Sequence, residues 1–297
     1  MPSVFQQIRK WAEFVKISHT IFALPFAIAS MALAARENHG WPGWRTFLLI
    51  LAAMFCARTC AMAFNRIVDR KFDALNPRTA ARHLPAGKIS LPSAWLLWGL
   101  SAAGLVTVAW FINPICFYLS PVALGVVCFY SVTKRFTDYT HVYLGVALAL
   151  APIGAWLAVR GSLSWQPVFL AVAVVFWLIG FDIIYAIQDY EFDRQNGLHS
   201  LVVAWGPKNA LMGAFLAHMI MWLLLASFGL FVRFRLAYFV GMAVILICLL
   251  LEHFIARKRS LNWVNKAFFK LNAVVSGVFL AVTLAEVAFP DFFRIRR

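Results

Sequence analysis

The sequence predicts an all-α, polytopic membrane protein with nine transmembrane helices around a central cavity. Three observations carry that expectation. Of 297 residues, 63% are hydrophobic and only 13% charged, with a mean hydropathy of +0.78; a soluble domain is nearer half apolar and a quarter charged. The apolar residues fall into runs of about 20, the length that crosses a bilayer as a helix. Most runs are apolar all round, whereas a soluble helix keeps a polar face.

Residues 1–16 form a short amphipathic lead carrying Arg9, Lys10 and Lys16. Spans are then expected at 17–35, 46–64, 91–112, 115–132, 141–159, 167–187, 209–232, 236–254 and 266–289. The first has the basic flank and small residues of a secretory signal, but eight further spans follow, so a retained helix is expected. Asn113-Pro114 divides the third span from the fourth, because the residue before a proline is pushed out of the helical region. No soluble domain or low-complexity segment interrupts the pattern, and residues 1–297 read as one transmembrane domain. The five cysteines all lie inside apolar runs without zinc spacing, so they read as small packing residues.

The net charge of +15 would suggest nucleic acid in a soluble protein. In a membrane protein it points to cytoplasmic loops beside anionic lipid and to an anionic substrate, with no nucleic-acid partner. The loops after the even-numbered spans, with the N-terminus, collect more than twice the Lys and Arg of the other side, among them Lys71, Lys88, Arg194, Lys208, Arg257, Lys258, Arg259 and Lys266. The sparser side holds Arg36, Arg45, Arg160, Arg233, Arg235, Arg294, Arg296 and Arg297. The positive-inside rule then places the N-terminus in the cytoplasm, with a bacterial-type inner membrane as the setting.

The chemistry concentrates at the ends of two spans. Asn65, Asp69 and Asp73 are four residues apart, and Tyr185, Asp189 and Asp193 repeat the spacing. On an α-helix each step of four turns about 40° past a full turn and rises about 6 Å, so each trio shares one face. Acidic groups near membrane depth are costly, yet six of the twelve Asp and Glu (Asp69, Asp73, Asp182, Asp189, Glu191, Asp193) gather here. A salt-bridged loop would account for one such ladder. Two on one membrane face point to Mg²⁺, which takes hard oxygen ligands together with substrate phosphates, with Arg66, Arg70, Arg78 and Arg82 nearby to hold phosphate oxygens. Asp69, Asp73, Asp189 and Asp193 are the candidate metal ligands.

Arg58 lies seven residues before Asn65, on the same face two turns deeper. It pairs either with a helix carbonyl or with a carboxylate on a second substrate. Tyr130, Lys134 and Arg135 end the fourth span, as a phosphate contact or a membrane anchor. His199 in the loop after the second ladder is either a titrating group or a solvated one. His19, His218 and His253 read as packing residues. Asp182, one turn below Tyr185, or an Asp of the second ladder could deprotonate a phenol.

With these residues the sequence resembles the UbiA superfamily of intramembrane aromatic prenyltransferases along essentially its whole length. That family carries N-D-x-x-D-x-x-x-D and D-x-x-x-D at helix ends in a nine-helix fold. Asn65, Asp69 and Asp73 match the first motif, and Asp189 and Asp193, after Tyr185-Ala186, match the second. Arg78-Thr79-Ala80 with Arg82 resembles its post-motif loop, and Tyr130 with Lys134-Arg135 its fourth-helix end. The family's second acid is Arg66 here, and the lysine often found after the second motif is His199. The runs through Asn76-Pro77-Arg78-Thr79 and Leu84-Pro85-Ala86-Gly87 resemble the branch described as 4-hydroxybenzoate polyprenyltransferases. The resemblance implies Mg²⁺-dependent transfer from a polyprenyl diphosphate to an aromatic acid, 4-hydroxybenzoate first. The alternative acceptor is 1,4-dihydroxy-6-naphthoate, in the futalosine route to menaquinone. A transporter of an anionic or lipid substrate is the reading from a different class, and a structural membrane subunit has little use for two charged ladders.

Overall fold

The computed structural model describes residues 3–16, 20–257 and 268–289. Residues 17–19 with His19, 258–267 with Lys258, Arg259 and Lys266, and 290–297 with Arg294, Arg296 and Arg297 lie outside the described residues. The elements are α1 (Val4–Phe14), α2 (Thr20–Ala34), α3 (Trp44–Leu75), α4 (Leu91–Ile112), α5 (Pro114–Thr133), α6 (Thr140–Arg160), α7 (Trp165–Ala186), α8 (Tyr190–Gln195), α9 (Leu201–Phe231), α10 (Leu236–Ala256) and α11 (Phe269–Ala288). Short 3₁₀ turns occupy Arg36–Asn38 and Ile187–Asp189. There is no strand among the described residues.

Among the described residues, eight helices are long and apolar enough to cross a membrane, and α2 is a further apolar helix. Of the expected first span, 17–35, the described part is helical from Thr20 to Ala34. The described residues thus hold eight long apolar helices and α2, in line with the expected all-helical membrane fold. At 32 residues, α3 is about 48 Å long, so it carries the first ladder out past its apolar run on one continuous helix. A short helical stretch from Leu201, where the Ser200 hydroxyl accepts from the Val203 N–H at 3.1 Å and caps it, precedes the seventh span expected from 209. Gly206, at φ 75°, then breaks α9 just before Pro207, a backbone angle that glycine adopts without strain.

In lipid the helices gain little from burying apolar surface, so close packing through small residues holds them together. A Cβ on Gly180 of α7 would sit 2.9 Å from the Ala214 carbonyl of α9, and one on Gly145 of α6 would sit 2.9 Å from the Val175 carbonyl of α7. Gly229 accepts Tyr238 and Gly241 accepts Val282 in the same way. Through such contacts α3 packs on α4 and α5, α5 on α6, α6 on α7, α7 on α9, α9 on α10, α10 on α11, and α11 on α2, which returns to α6. Ser30 of α2 donates to the Pro152 carbonyl of α6 at 2.7 Å. Outside this ring, α1 lays Trp11 and Phe14 over Ile67, Leu84 and Ile89. Its start is a capping box, with Ser3 and Gln6 exchanging bonds of 2.8 and 3.2 Å.

Candidate active site

A polar cavity of about 330 Å³ opens at the ends of α3, α5 and α7 and the start of α6. Its lining includes Asn65, Asp69 and Asp73 from α3, Arg78 and Arg82 from the following loop, and Lys134 and Arg135 after α5. Asp182 and Tyr185 come from α7, Asp189 from the 3₁₀ turn, and Asp193 from α8. The two ladders face one cavity, as their shared spacing suggests.

The second ladder is not the straight helix expected. The α-helix ends at Ala186, tightens to a 3₁₀ turn at Ile187–Asp189, and resumes at Tyr190. A 3₁₀ turn holds three residues rather than 3.6, so the three side chains do not stack in a column. Asp189 and Asp193 are nonetheless both buried, turned inward by partners from other elements.

Those partners are cations. Asp73 Oδ1 accepts from Arg82 Nη1 at 2.6 Å, and Asp193 Oδ2 accepts from Lys134 Nζ at 3.3 Å. Arg78 grips Asp189 with both arms of its fork, Nε to Oδ1 at 2.8 Å and Nη2 to Oδ2, and donates from Nη1 to the Tyr185 hydroxyl at 2.9 Å. Asn76 adds a bond to Asp189 Oδ1 at 3.0 Å. Asp69 takes a 2.8 Å bond from Asn65 Nδ2 and lies 3.8 Å from Arg135. Outside the spans, burial pulls Arg78 and Lys134 down, but their carboxylate neighbours outweigh it and hold both above their ordinary values. Both groups are therefore cations at neutral pH.

Once these pairs are made, Lys16, Arg58 and Arg66 line the cavity without a carboxylate partner among the described residues. Among the described residues, Arg58 Nε is buried with no partner, and so is Asp73 Oδ2. Arg58 and Tyr130 also line a second, apolar cavity of about 200 Å³. Its walls are mostly small residues of α3, α5 and α6, among them Ala53, Ala57, Ala123, Ala151 and Ala155. A charged chamber thus meets an apolar slot at Arg58 and Tyr130.

Two expected residues are absent from this chamber. Arg70 bends back to its own helix, donating to the Ile67 carbonyl at 3.0 Å. His199 is exposed and pairs with Asp138 at 3.0 Å, and only its backbone N–H reaches the site region, donating to the Lys134 carbonyl at 2.7 Å. The structure adds groups that spacing did not single out: Lys16, Asn76, Thr79, Ser131, Phe192 and Phe269. Lys16 reaches the cavity through a left-handed backbone at φ 51° after α1, which no sequence pattern announces.

A model of the UbiA prenyltransferase family matches residues 23–274. The chain belongs to the UbiA prenyltransferase family. Curated relatives include a 4-hydroxybenzoate octaprenyltransferase of Pseudomonas aeruginosa, 31% identical over 84% of this chain and 83% of the relative. Another of that name, from Methylobacillus flagellatus, is 28% identical over 99% of this chain and 97% of its own length. Among solved structures, an apo UbiA homolog from Aeropyrum pernix K1 superposes with a TM-score of 0.80 at 31% identity, covering 91% of this chain and 98% of that one. A UbiA homolog from Archaeoglobus fulgidus, bound to GPP and Mg²⁺, shares the fold at TM-score 0.69 and 24% identity, covering 92% and 99%. This UbiA protein is thus an integral membrane enzyme of the aromatic prenyltransferase kind.

Proposed function

We propose that this enzyme transfers a polyprenyl group from polyprenyl diphosphate to an aromatic carboxylic acid, 4-hydroxybenzoate, in quinone biosynthesis, releasing diphosphate. One observation carries the reading: a chamber with surplus cations opens, at Arg58 and Tyr130, into an apolar slot lined by alanines. Such a shape takes a ligand with an anionic head and a hydrocarbon tail. The relatives named 4-hydroxybenzoate octaprenyltransferase support both the donor class and the acceptor.

The donor set fits Mg²⁺. It consists of carboxylates and an amide oxygen, all hard ligands, and Asp73 Oδ2 has no partner among the described residues. Among the described residues no three acidic, His or Cys groups form a ready cage, which suits an ion that takes much of its coordination from substrate phosphates. Asp69, Asp73, Asp189 and Asp193, with Asn65, would hold it. When bound there, the ion supplies positive charge against the departing diphosphate. Arg66, Arg78, Arg82, Lys134, Arg135 and Lys16 add charge-assisted hydrogen bonds to phosphate oxygens. Arg66 stands where the family's motif has an acid, so this half of the site binds phosphate more directly. Arg58, at the border of chamber and slot, binds the acceptor's carboxylate. Walls of Leu144, Leu148, Leu178 and Phe181 exclude water that would quench an allylic cation. The basic loops place the N-terminus and the chamber on the cytoplasmic side of an inner membrane.

The test is turnover by membranes given Mg²⁺, a polyprenyl diphosphate and either 4-hydroxybenzoate or 1,4-dihydroxy-6-naphthoate, with product mass read directly. Prenylated hydroxybenzoate in the wild type, lost in Asp69→Ala and Asp189→Ala, is the expected result. Preference for the naphthoate would move the acceptor. Full turnover in both variants, or substrate flux into liposomes without product, would sink the assignment.

A further inference from the structure

A phenol attacks better once its proton is gone, and the chamber holds five carboxylates that could take it: Asp69, Asp73, Asp182, Asp189 and Asp193. Four of them are committed to cations, to Arg135, Arg82, Arg78 and Lys134 respectively. A carboxylate gripped by a fixed cation is a poor proton acceptor, since protonation would strand the cation. Asp182 differs. Its partner is an imidazole, with His141 Nδ1 2.7 Å from Asp182 Oδ2. An imidazole bears no obligatory charge, so this pair can gain a proton without breaking an ion pair.

The geometry also aims the group. His141 stands in the first turn of α6 and is fully buried, while the Asp182 side chain on α7 is 19% exposed, toward the chamber it lines. Because Oδ2 accepts, the ring hydrogen belongs on Nδ1. His141 Nε2 is buried and has no partner among the described residues, so among them the ring is held through a single polar bond, the one to Asp182. That bond occupies one carboxylate oxygen and leaves Oδ1 with no hydrogen bond among the described residues. A buried histidine whose one polar bond fixes the rotamer of a cavity-facing carboxylate is arranged as a support.

We infer that Asp182 is the general base for the acceptor's phenolic proton and that His141 is the positioning residue that aims it, an assignment that rests on the prenyl-transfer reading of the chamber. The O–H bond breaks and its proton goes to Asp182 Oδ1. The C1–O bond breaks, its bonding pair leaving with diphosphate, and a ring electron pair then forms the bond to the allylic C1. The resulting ketone loses its ring hydrogen as a proton to solvent and recovers an oxygen-bound proton from Asp182. The balance is one C–C bond made, one C–O and one ring C–H bond broken, and one proton released with diphosphate.

The experiment compares purified wild type with Asp182→Asn, His141→Leu and His141→Asn, each checked for thermal stability in detergent. Asn places an N–H close to where His141 carries Nδ1, and Leu removes it. Asp182→Asn should lower kcat by about 10²- to 10⁴-fold, the span of general-base catalysis, with the KM for the prenyl donor nearly unchanged. His141→Leu should lower kcat more than tenfold, and His141→Asn should recover most of that loss. With 3-fluoro-4-hydroxybenzoate, whose phenol is more acidic, the ratio of wild-type to variant rates should shrink, which a purely structural role would not produce. Should His141→Leu fail to fold, the Asp182→Asn ratio across the two acceptors still decides. Unchanged kcat in Asp182→Asn, equal loss in the Leu and Asn variants of His141, or ratios independent of acceptor acidity would overturn the pair while leaving prenyl transfer standing. No turnover in the wild type with any acceptor would instead overturn the prenyl-transfer reading, and this assignment with it.

Discussion

Arg58→Met separates binding from stability in opposite directions. The substitution keeps an unbranched side chain of similar length and removes the guanidinium, whose Nε is buried without a partner among the described residues. If Arg58 binds the acceptor's carboxylate, the variant loses a charge-assisted hydrogen bond, worth about 1.5–3 kcal/mol. At about 1.4 kcal/mol per tenfold, the KM for 4-hydroxybenzoate should rise roughly 10- to 150-fold, with the KM for the prenyl donor unchanged. Removing a donor that is desolvated and unsatisfied in the free enzyme should meanwhile relieve about 1 kcal/mol, so the melting midpoint should hold or rise. The assay is acceptor-dependent turnover at saturating prenyl diphosphate, run beside thermal unfolding in one detergent. A phenol lacking the carboxylate supplies the control: wild type and variant should use it equally poorly. A fall in the midpoint with an unchanged acceptor KM would refute the reasoning and make Arg58 a structural link between helices.

Arg78→Lys should lower kcat/KM about tenfold or more. Lysine keeps the charge but cannot reproduce the fork that holds both Asp189 oxygens and the Tyr185 hydroxyl, and arginine alone should restore the rate. Chelation with EDTA should lower turnover by about 100-fold or more, in keeping with the several kcal/mol of charge stabilisation a catalytic metal supplies, with full recovery on adding Mg²⁺ and none with Na⁺. His199→Ala should keep kcat and both KM values within about twofold, as expected of an exposed side chain outside the cavity; a larger loss would put the loop after α8 back into the site.

Membrane class and the two half-sites were legible in the chain because they depend on local pattern. Apolar runs of bilayer length have one stable solution, the helix, since lipid offers no partners for unsatisfied backbone groups. The Asn65–Asp69–Asp73 spacing likewise implied a shared face on one helix, and α3 runs unbroken through it. The same rule misjudged the second trio, because the chain tightens to a 3₁₀ turn at Ile187–Asp189. No residue in that run announces the change. It is stabilised from outside, by Arg78 and Asn76 holding Asp189.

Sequence by itself determined which residue types were affordable where. A carboxylate or guanidinium at membrane depth must have a use or a partner, so Arg58 and the Asp ladders stood out at once. Tertiary structure alone decided the pairing. It gave each ladder Asp its cation, left Lys16, Arg58 and Arg66 to spare, and joined the chamber to the apolar slot. It also turned Arg70 and His199 away and set His141 behind Asp182 across 41 residues of chain. The reason is physical: spacing along one helix fixes which side chains share a face, whereas a charge's partner comes from whichever helix packs against that face.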